Sequence, residues 1–188
     1  MGLVDGMIRA ARLDVSLYEE VERDTTQTNN ALIVVVLSAL ASGIAGAVGA
    51  ASAQPGTSGS PILVLIVSIV AAIVGWAVVS GFIYLVGTRL FGGTATWGEV
   101  MRTVGYANSP GVLNILGFIP VLGGLIRLVV GIWVIVATVI AIRQALDVST
   151  GRAIVSGIIG WILGGIVIGI VFAIFAVPFV VGGMMSAP

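Results

Sequence analysis

The chain has 188 residues, of which 59% are hydrophobic and 9% are charged, and its formal net charge is zero. Soluble globular domains carry about a quarter charged residues, so this composition excludes that class and indicates a membrane protein. With no Cys, no His, no Lys and no basic tract, we expect no catalytic residue, no bound metal, no cofactor and no nucleic-acid partner.

The N-terminal residues 1–30 are predicted to form a short helical lead-in on the cytoplasmic side. Their many charges and the lack of an apolar core exclude a secretory signal. Val4, Met7, Ile8 and Ala11 recur at helical spacing, which predicts a weakly amphipathic helix. Its apolar side is compatible with a solvated helix, or with a face that lies on lipid headgroups or on a partner.

Two uncharged stretches predict the first two membrane spans, at residues 31–53 and 61–87, joined by a turn at Gln54–Ser60. In the first span, small residues recur four apart and include Gly43 and Gly46. This spacing allows two helices to approach closely, either within the molecule or between two copies.

A short amphipathic helix is then predicted from a capping box at Thr96 and Glu99, with Arg102 placed to pair with Glu99. It leads into a third span at residues 104–121, which is apolar but carries polar groups and a proline that an anchor does not require. The candidate functional positions in it are Tyr106, Asn108, Ser109, Pro110 and Asn114. Pro110 predicts either a packing kink or a polar cavity, with neighbouring polar side chains bonding the carbonyl freed near Tyr106.

The last two spans are predicted at residues 122–142 and 153–181, after a tight turn at Pro120–Gly124, and complete a membrane domain of residues 31–188. The final span has two GxxxG spacings that predict helix packing. They are formed by Gly160, Gly164, Gly165 and Gly169.

Arg127 lies inside the fourth span, where a charge is costly. It either extends to the outer headgroups or contacts Asn114, which lies at similar depth across the predicted hairpin.

The charges predict the topology. Seven of the eight Arg residues lie in segments on one side of a five-span arrangement, and the opposite segments carry none. The positive-inside rule then places the N-terminus in the cytoplasm and the C-terminus outside. The fold class is therefore an all-α integral membrane protein with five transmembrane helices and short amphipathic cytoplasmic helices.

The order of these elements resembles the Yip1 domain family, in particular its short bacterial members. The resemblance covers about residues 12–181. It is carried by Gly105-Tyr106 and Pro110, the amphipathic lead-in before them, the 117–124 turn and the connector Ile142-Arg143-Gln144-Ala145-Leu146. It implies five spans, a cytosolic N-terminus and a bacterial plasma membrane. Eukaryotic members are implicated in vesicle traffic with Rab GTPases, but their cytosolic Asp-Leu-Tyr-Gly-Pro motif is absent here.

We expect a non-enzymatic component that organises the membrane by binding other membrane proteins or a second copy, with the lipid bilayer as its constant partner. The alternative is a small transporter, channel or lipid-handling protein with a polar cavity at the third and fourth spans.

Overall fold

The computed structural model describes residues 1–53, 61–119 and 121–185, and their side chains except at residues 49–53, 61, 63, 64, 172 and 174–185. The described residues are helical throughout, apart from short connections. The elements are α1 (Leu3–Ala11), α2 (Val15–Arg23), α3 (Gln27–Ala53), α4 (Pro61–Phe91), α5 (Trp97–Ala107), a 3₁₀ helix (Ser109–Phe118), α6 (Leu122–Leu146) and α7 (Thr150–Met185).

Four of the described helices are long and apolar enough to cross a membrane. Their apolar parts are Gln27–Val48, Leu65–Phe91, Leu122–Leu146 and Thr150–Val171. Each helix extends beyond the predicted span at one or both ends, because hydropathy marks the apolar stretch while the helical backbone continues into the polar flank. The predicted turn at Gln54–Ser60 lies outside the described residues, and so does Pro120 of the predicted turn at Pro120–Gly124.

The predicted third span at residues 104–121 is not a continuous α-helix. α5 begins at the predicted capping box, in which Thr96 and Glu99 bond each other's backbone N–H, but it ends at Ala107. The chain continues as the 3₁₀ helix. Pro110 has no N–H, and in an α-helix its ring would clash with the carbonyl four residues earlier, so the α-helical ladder stops before it. Five spanning helices are therefore not confirmed.

The ends of several helices meet at one end of the bundle. The Thr94 N–H donates to the Leu146 carbonyl at 3.2 Å, and Arg152 donates to the Phe91 carbonyl at 3.4 Å. Gln144 of α6 donates to the Glu19 carboxylate at 3.0 Å. This end of the bundle, formed by α2 and residues 91–94 and 144–152, is called the charged end below.

α1 and α2 pack against the bundle and are not a solvated lead-in. Leu17, Tyr18 and Val21 of α2 are completely buried, and α2 contacts α5 and α6. The indole N–H of Trp133 in α6 donates to the carbonyl of Ala11 at 2.8 Å, at the end of α1. The N-terminal helices thus form part of the same core as the long helices.

Two of the predicted packing glycines bring α7 against α4. A Cβ built at Gly160 would lie 2.5 Å from Cγ1 of Ile83, and one at Gly164 would lie 2.6 Å from Cγ2 of Val79. Leu at either position would force the helices apart, because the backbone of α4 lies directly behind these side chains.

The other predicted packing glycines differ among themselves. A Cβ at Gly43 would lie 2.9 Å from Leu65 of α4, so Gly43 does lie at the α3–α4 contact. A Cβ at Gly46, Gly165 or Gly169 meets nothing within 4 Å. These three glycines therefore take no part in close helix packing within the described chain.

Candidate functional site

Tyr106, near the end of α5, is hydrogen-bonded to the start of α3. Its ring is completely buried, and its hydroxyl donates to Oε1 of Gln27 at 2.7 Å. Gln27 in turn donates to the Asp24 carboxylate at 2.9 Å, and hydrogen bonds from Thr26 and Gln27 lower the pKa of Asp24. The Tyr106 hydroxyl therefore belongs to a network between α5 and α3 and does not line the cavity described below.

Asn108 and Ser109 stabilise the end of α5. The Ser109 hydroxyl donates to the Tyr106 carbonyl at 2.6 Å, which is the carbonyl that Pro110 was expected to leave free. The Asn108 amide donates to the Val104 carbonyl at 2.8 Å. Ser38 of α3 donates to the Asn108 carbonyl at 2.8 Å. Side chains thus satisfy the carbonyls at the point where the α-helix ends.

Asn114 and Arg127 do not form the contact considered from the sequence. The Asn114 amide donates to the Ser42 hydroxyl of α3 at 3.3 Å, while Arg127 is exposed and makes no hydrogen bond or ion pair among the described residues. A Cβ built at Gly117 would lie 2.8 Å from Nε of Arg127, so the Arg127 side chain crosses the 3₁₀ helix there. With about three residues per turn, a 3₁₀ helix places Asn114 on the same face as Gly111, toward α3.

A cavity of about 960 Å³ lies between α3, α4, α6, α7 and the 3₁₀ helix. Its wall is mostly apolar and rich in small residues, and it contains no charged side chain among the described lining residues. The polar side chains in the wall are Ser38, Ser42, Ser68, Asn108, Asn114 and Thr138. Oδ1 of Asn114 is buried and has no hydrogen-bond partner among the described residues. The cavity therefore offers neutral hydrogen-bonding groups within an apolar surface.

Arg102 is a buried cation, and the partner predicted for it from the sequence was wrong. It is 6% exposed, and its guanidinium donates from Nε to the Val21 carbonyl at 3.0 Å and from Nη2 to the Glu22 carbonyl. The expected partner, Glu99, accepts instead from the Thr96 N–H at 2.8 Å as part of the capping box. The capping box was predicted from the sequence. It holds the Glu99 carboxylate at the start of α5, so this carboxylate does not pair with Arg102.

The carboxyl group of Glu22 lies at the charged end, in surroundings that disfavour its ionised form. Its side chain is 17% exposed, and one carboxylate oxygen is buried without a hydrogen-bond partner among the described residues. Burial raises the pKa of Glu22 to about 7, with a further contribution from the Asp147 carboxylate and smaller ones from Glu99 and Glu19. Arg23 lies 3.9 Å away and acts in the opposite direction.

Among the residues that the structure describes, no three or more His, Cys, Asp or Glu side chains converge into a possible metal site. The cavity instead has hydroxyl and amide groups that can form hydrogen bonds with a ligand, and an apolar wall that can pack against it.

A family model described as Yip1 domain matches residues 16–172, most of the chain. No curated protein and no solved structure shows a significant match. The family match and the four long apolar helices together indicate an integral, multi-pass membrane protein.

Proposed function

Since the chain belongs to the Yip1 domain family, we propose that it is a non-enzymatic membrane protein that binds an amphiphilic molecule of the bilayer, a lipid, in its cavity. The observation that carries this proposal is the cavity of about 960 Å³ with neutral polar groups in an apolar wall. Ligand sites commonly measure about 300–1,000 Å³ and combine an apolar lining with a few polar groups.

The lining favours a lipid over a charged solute. Pathways for ions and charged solutes use ionisable groups within the membrane, whereas the described lining has none. Non-helical or irregular backbone at membrane depth is tolerated where protein covers it or where it lines a cavity. The 3₁₀ helix meets this condition, because Gly111 and Asn114 face the cavity and α3 packs along the same helix.

The proposed topology follows from the charged end. The end of α5 and the 3₁₀ helix would make the third of five crossings, with a shorter α-helical part than the sequence suggested. Arg89, Arg143 and Arg152 lie at or near the charged end, so the positive-inside rule places this end and the N-terminus in the cytoplasm and the C-terminus outside. The resemblance to short bacterial members supports a bacterial plasma membrane.

Gly131 of α6 and Gly165 of α7 provide a matched pair for the test. A Cβ at either glycine meets nothing within 4 Å, but Gly131 lines the cavity and Gly165 faces outward. Gly131→Leu should therefore place a side chain inside the cavity without a clash and reduce its volume, whereas Gly165→Leu should leave the cavity unchanged. Native mass spectrometry of protein extracted in mild detergent should show bound lipid with the parent and with Gly165→Leu, and less with Gly131→Leu. Equal lipid retention by both variants would contradict the proposal.

A second candidate is the organising role, in which the protein binds another membrane protein or a second copy. The observation that favours it is the outward face of α7, where Gly165 and Gly169 are four residues apart beside exposed Ile162 and Ile166. Small residues at this spacing allow another helix to approach closely. This role predicts a stoichiometric protein partner that co-purifies with Gly131→Leu and is lost with Gly165→Leu, the reverse of the lipid result.

A further inference from the structure

α1 has a protein-facing side that fixes its position on the bundle. Gly6 and Ala10, one helical turn apart, are buried. A Cβ built at Gly6 would lie 2.6 Å from Cε1 of Tyr106, so the backbone of α1 lies directly against that ring. α1 is therefore held against α5 and the 3₁₀ helix by one narrow face.

The next side of α1 is apolar but uncovered. Val4 and Ile8 are four residues apart, so they lie on one side of α1, away from the buried face of Gly6 and Ala10. These side chains are 66% and 47% exposed. They form a continuous apolar surface, called the α1 stripe below, that no described part of the protein covers.

The third side of α1 is charged. Asp5 and Arg12 follow the α1 stripe around the helix and are exposed. Arg9 lies further round, and its charge is compensated by Asp14 at 2.7 Å and by Glu20 at 2.8 Å. The helix thus presents protein-facing, apolar and charged sides in that order, which is the arrangement expected at a boundary between protein, hydrocarbon and water.

Trp133 shows where α1 meets the apolar surface of the bundle. Its indole N–H donates to the Ala11 carbonyl, so the end of α1 lies beside the middle of α6. Ile132 and Val136 of α6, one residue before and three residues after Trp133, are exposed apolar side chains within the apolar part of this helix. The exposed apolar side chains of α6, called its apolar belt below, therefore adjoin the end of α1.

From this continuity with the apolar belt of α6, we propose that α1 is an interfacial helix whose stripe is inserted among the lipid acyl chains of the leaflet at the charged end. Residues 1–24 contain three Arg against six Asp and Glu, so attraction to anionic headgroups does not drive the insertion. Burial of apolar side chains drives it, and the insertion is the same in zwitterionic and anionic bilayers.

The absence of Cys allows the stripe to be labelled one position at a time in the full chain. Val4→Cys and Ile8→Cys would each carry a nitroxide, with Asp5→Cys as the water-facing control and Ile132→Cys of α6 as the lipid-facing reference. The proteins are reconstituted in vesicles of zwitterionic lipid, and a second set contains anionic lipid. Electron paramagnetic resonance then compares the accessibility of each label to oxygen, which concentrates in hydrocarbon, and to a water-soluble nickel chelate.

Labels at Val4 and Ile8 should respond mainly to oxygen, as at Ile132, whereas a label at Asp5 should respond to the nickel chelate. The ratio should not change with anionic lipid. Nickel accessibility at both stripe positions equal to that at Asp5 would overturn the proposal. So would protection of both positions from both reagents, which would mean that protein covers the stripe. Both side chains are exposed, and the two variants are independent, so failure of one to fold leaves the other as the test.

Discussion

Replacing Arg102 with Met should weaken the attachment of α2 to the bundle. The guanidinium of Arg102 donates to the carbonyls of Val21 and Glu22, which lie in the last turn of α2 and have no partner within the helix. Met retains much of the apolar stem and removes both hydrogen bonds and the charge. The two carbonyls then lie at the interface with α5 without a donor from the protein.

The magnitude follows from these two bonds. Hydrogen bonds to a charged group contribute about 1.5–3 kcal/mol each, so the pair contributes about 3–6 kcal/mol. Glu22 is partly exposed, which allows water to replace some of this interaction. We therefore expect Arg102→Met to lower the free energy of unfolding by about 3 kcal/mol, at the low end of that range.

Arg89→Met is the matched control. Arg89 is exposed in the last turn of α4 and makes no hydrogen bond or ion pair among the described residues. Its replacement should cost less than about 1 kcal/mol, the usual contribution of a cation near an exposed helix C-terminus. Denaturant titration in detergent micelles measures both variants, and hydrogen exchange of the α2 amides should accelerate only in Arg102→Met. Equal stability of the two variants would refute the argument.

Two further predictions concern the charged end and the helix contact. The pKa of Glu22 is raised from 4.5 to about 7. The free energy of unfolding should therefore fall by up to about 3 kcal/mol as the pH rises from 4.5 to 7, because the buried carboxyl group must then ionise. This loss should persist above pH 7. Glu22→Gln should therefore be more stable than the parent at pH 8 and equal to it at pH 4.5 in denaturant titrations; an unchanged pH dependence would contradict this. Gly164→Leu should cost about 1–3 kcal/mol by overpacking against Val79, whereas Gly165→Leu should be neutral in the same assay, and a neutral Gly164→Leu would show that α4 and α7 separate freely.

The sequence predicts well those features that depend on neighbouring residues. The four long helices follow from long, predominantly apolar stretches, and the start of α5 follows from the capping box of Thr96 and Glu99. The Gly160–Gly164 spacing indicates a packing face, although the sequence does not say which helix it contacts. In the structure that helix is α4.

Features that depend on contacts between distant parts of the chain could not be predicted from the sequence. Arg102 bonds carbonyls 80 and 81 residues away, and Trp133 bonds a carbonyl 122 residues away. Backbone carbonyls carry no residue-specific signal, so the partner of a buried Arg or Trp is invisible in the sequence. A signal for the docking of α2 was present in its apolar face of Leu17, Tyr18 and Val21, which a solvated helix does not require.

The polar side chains at the end of α5, in the 3₁₀ helix and in the facing part of α3 have two different roles, and this difference indicates which groups of a ligand the cavity would bind. Asn108, Ser109 and Ser38 each donate to a backbone carbonyl, so their hydrogen bonds stabilise the end of α5 and the 3₁₀ helix. Asn114 uses its N–H on the Ser42 hydroxyl, and its buried Oδ1 has no partner among the described residues. A buried acceptor without a donor costs about 1–3 kcal/mol. A lipid bound in the cavity would relieve this cost if it carried a hydroxyl or amine donor at the depth of Asn114, so we expect donor-bearing lipids to bind in preference to fully esterified ones.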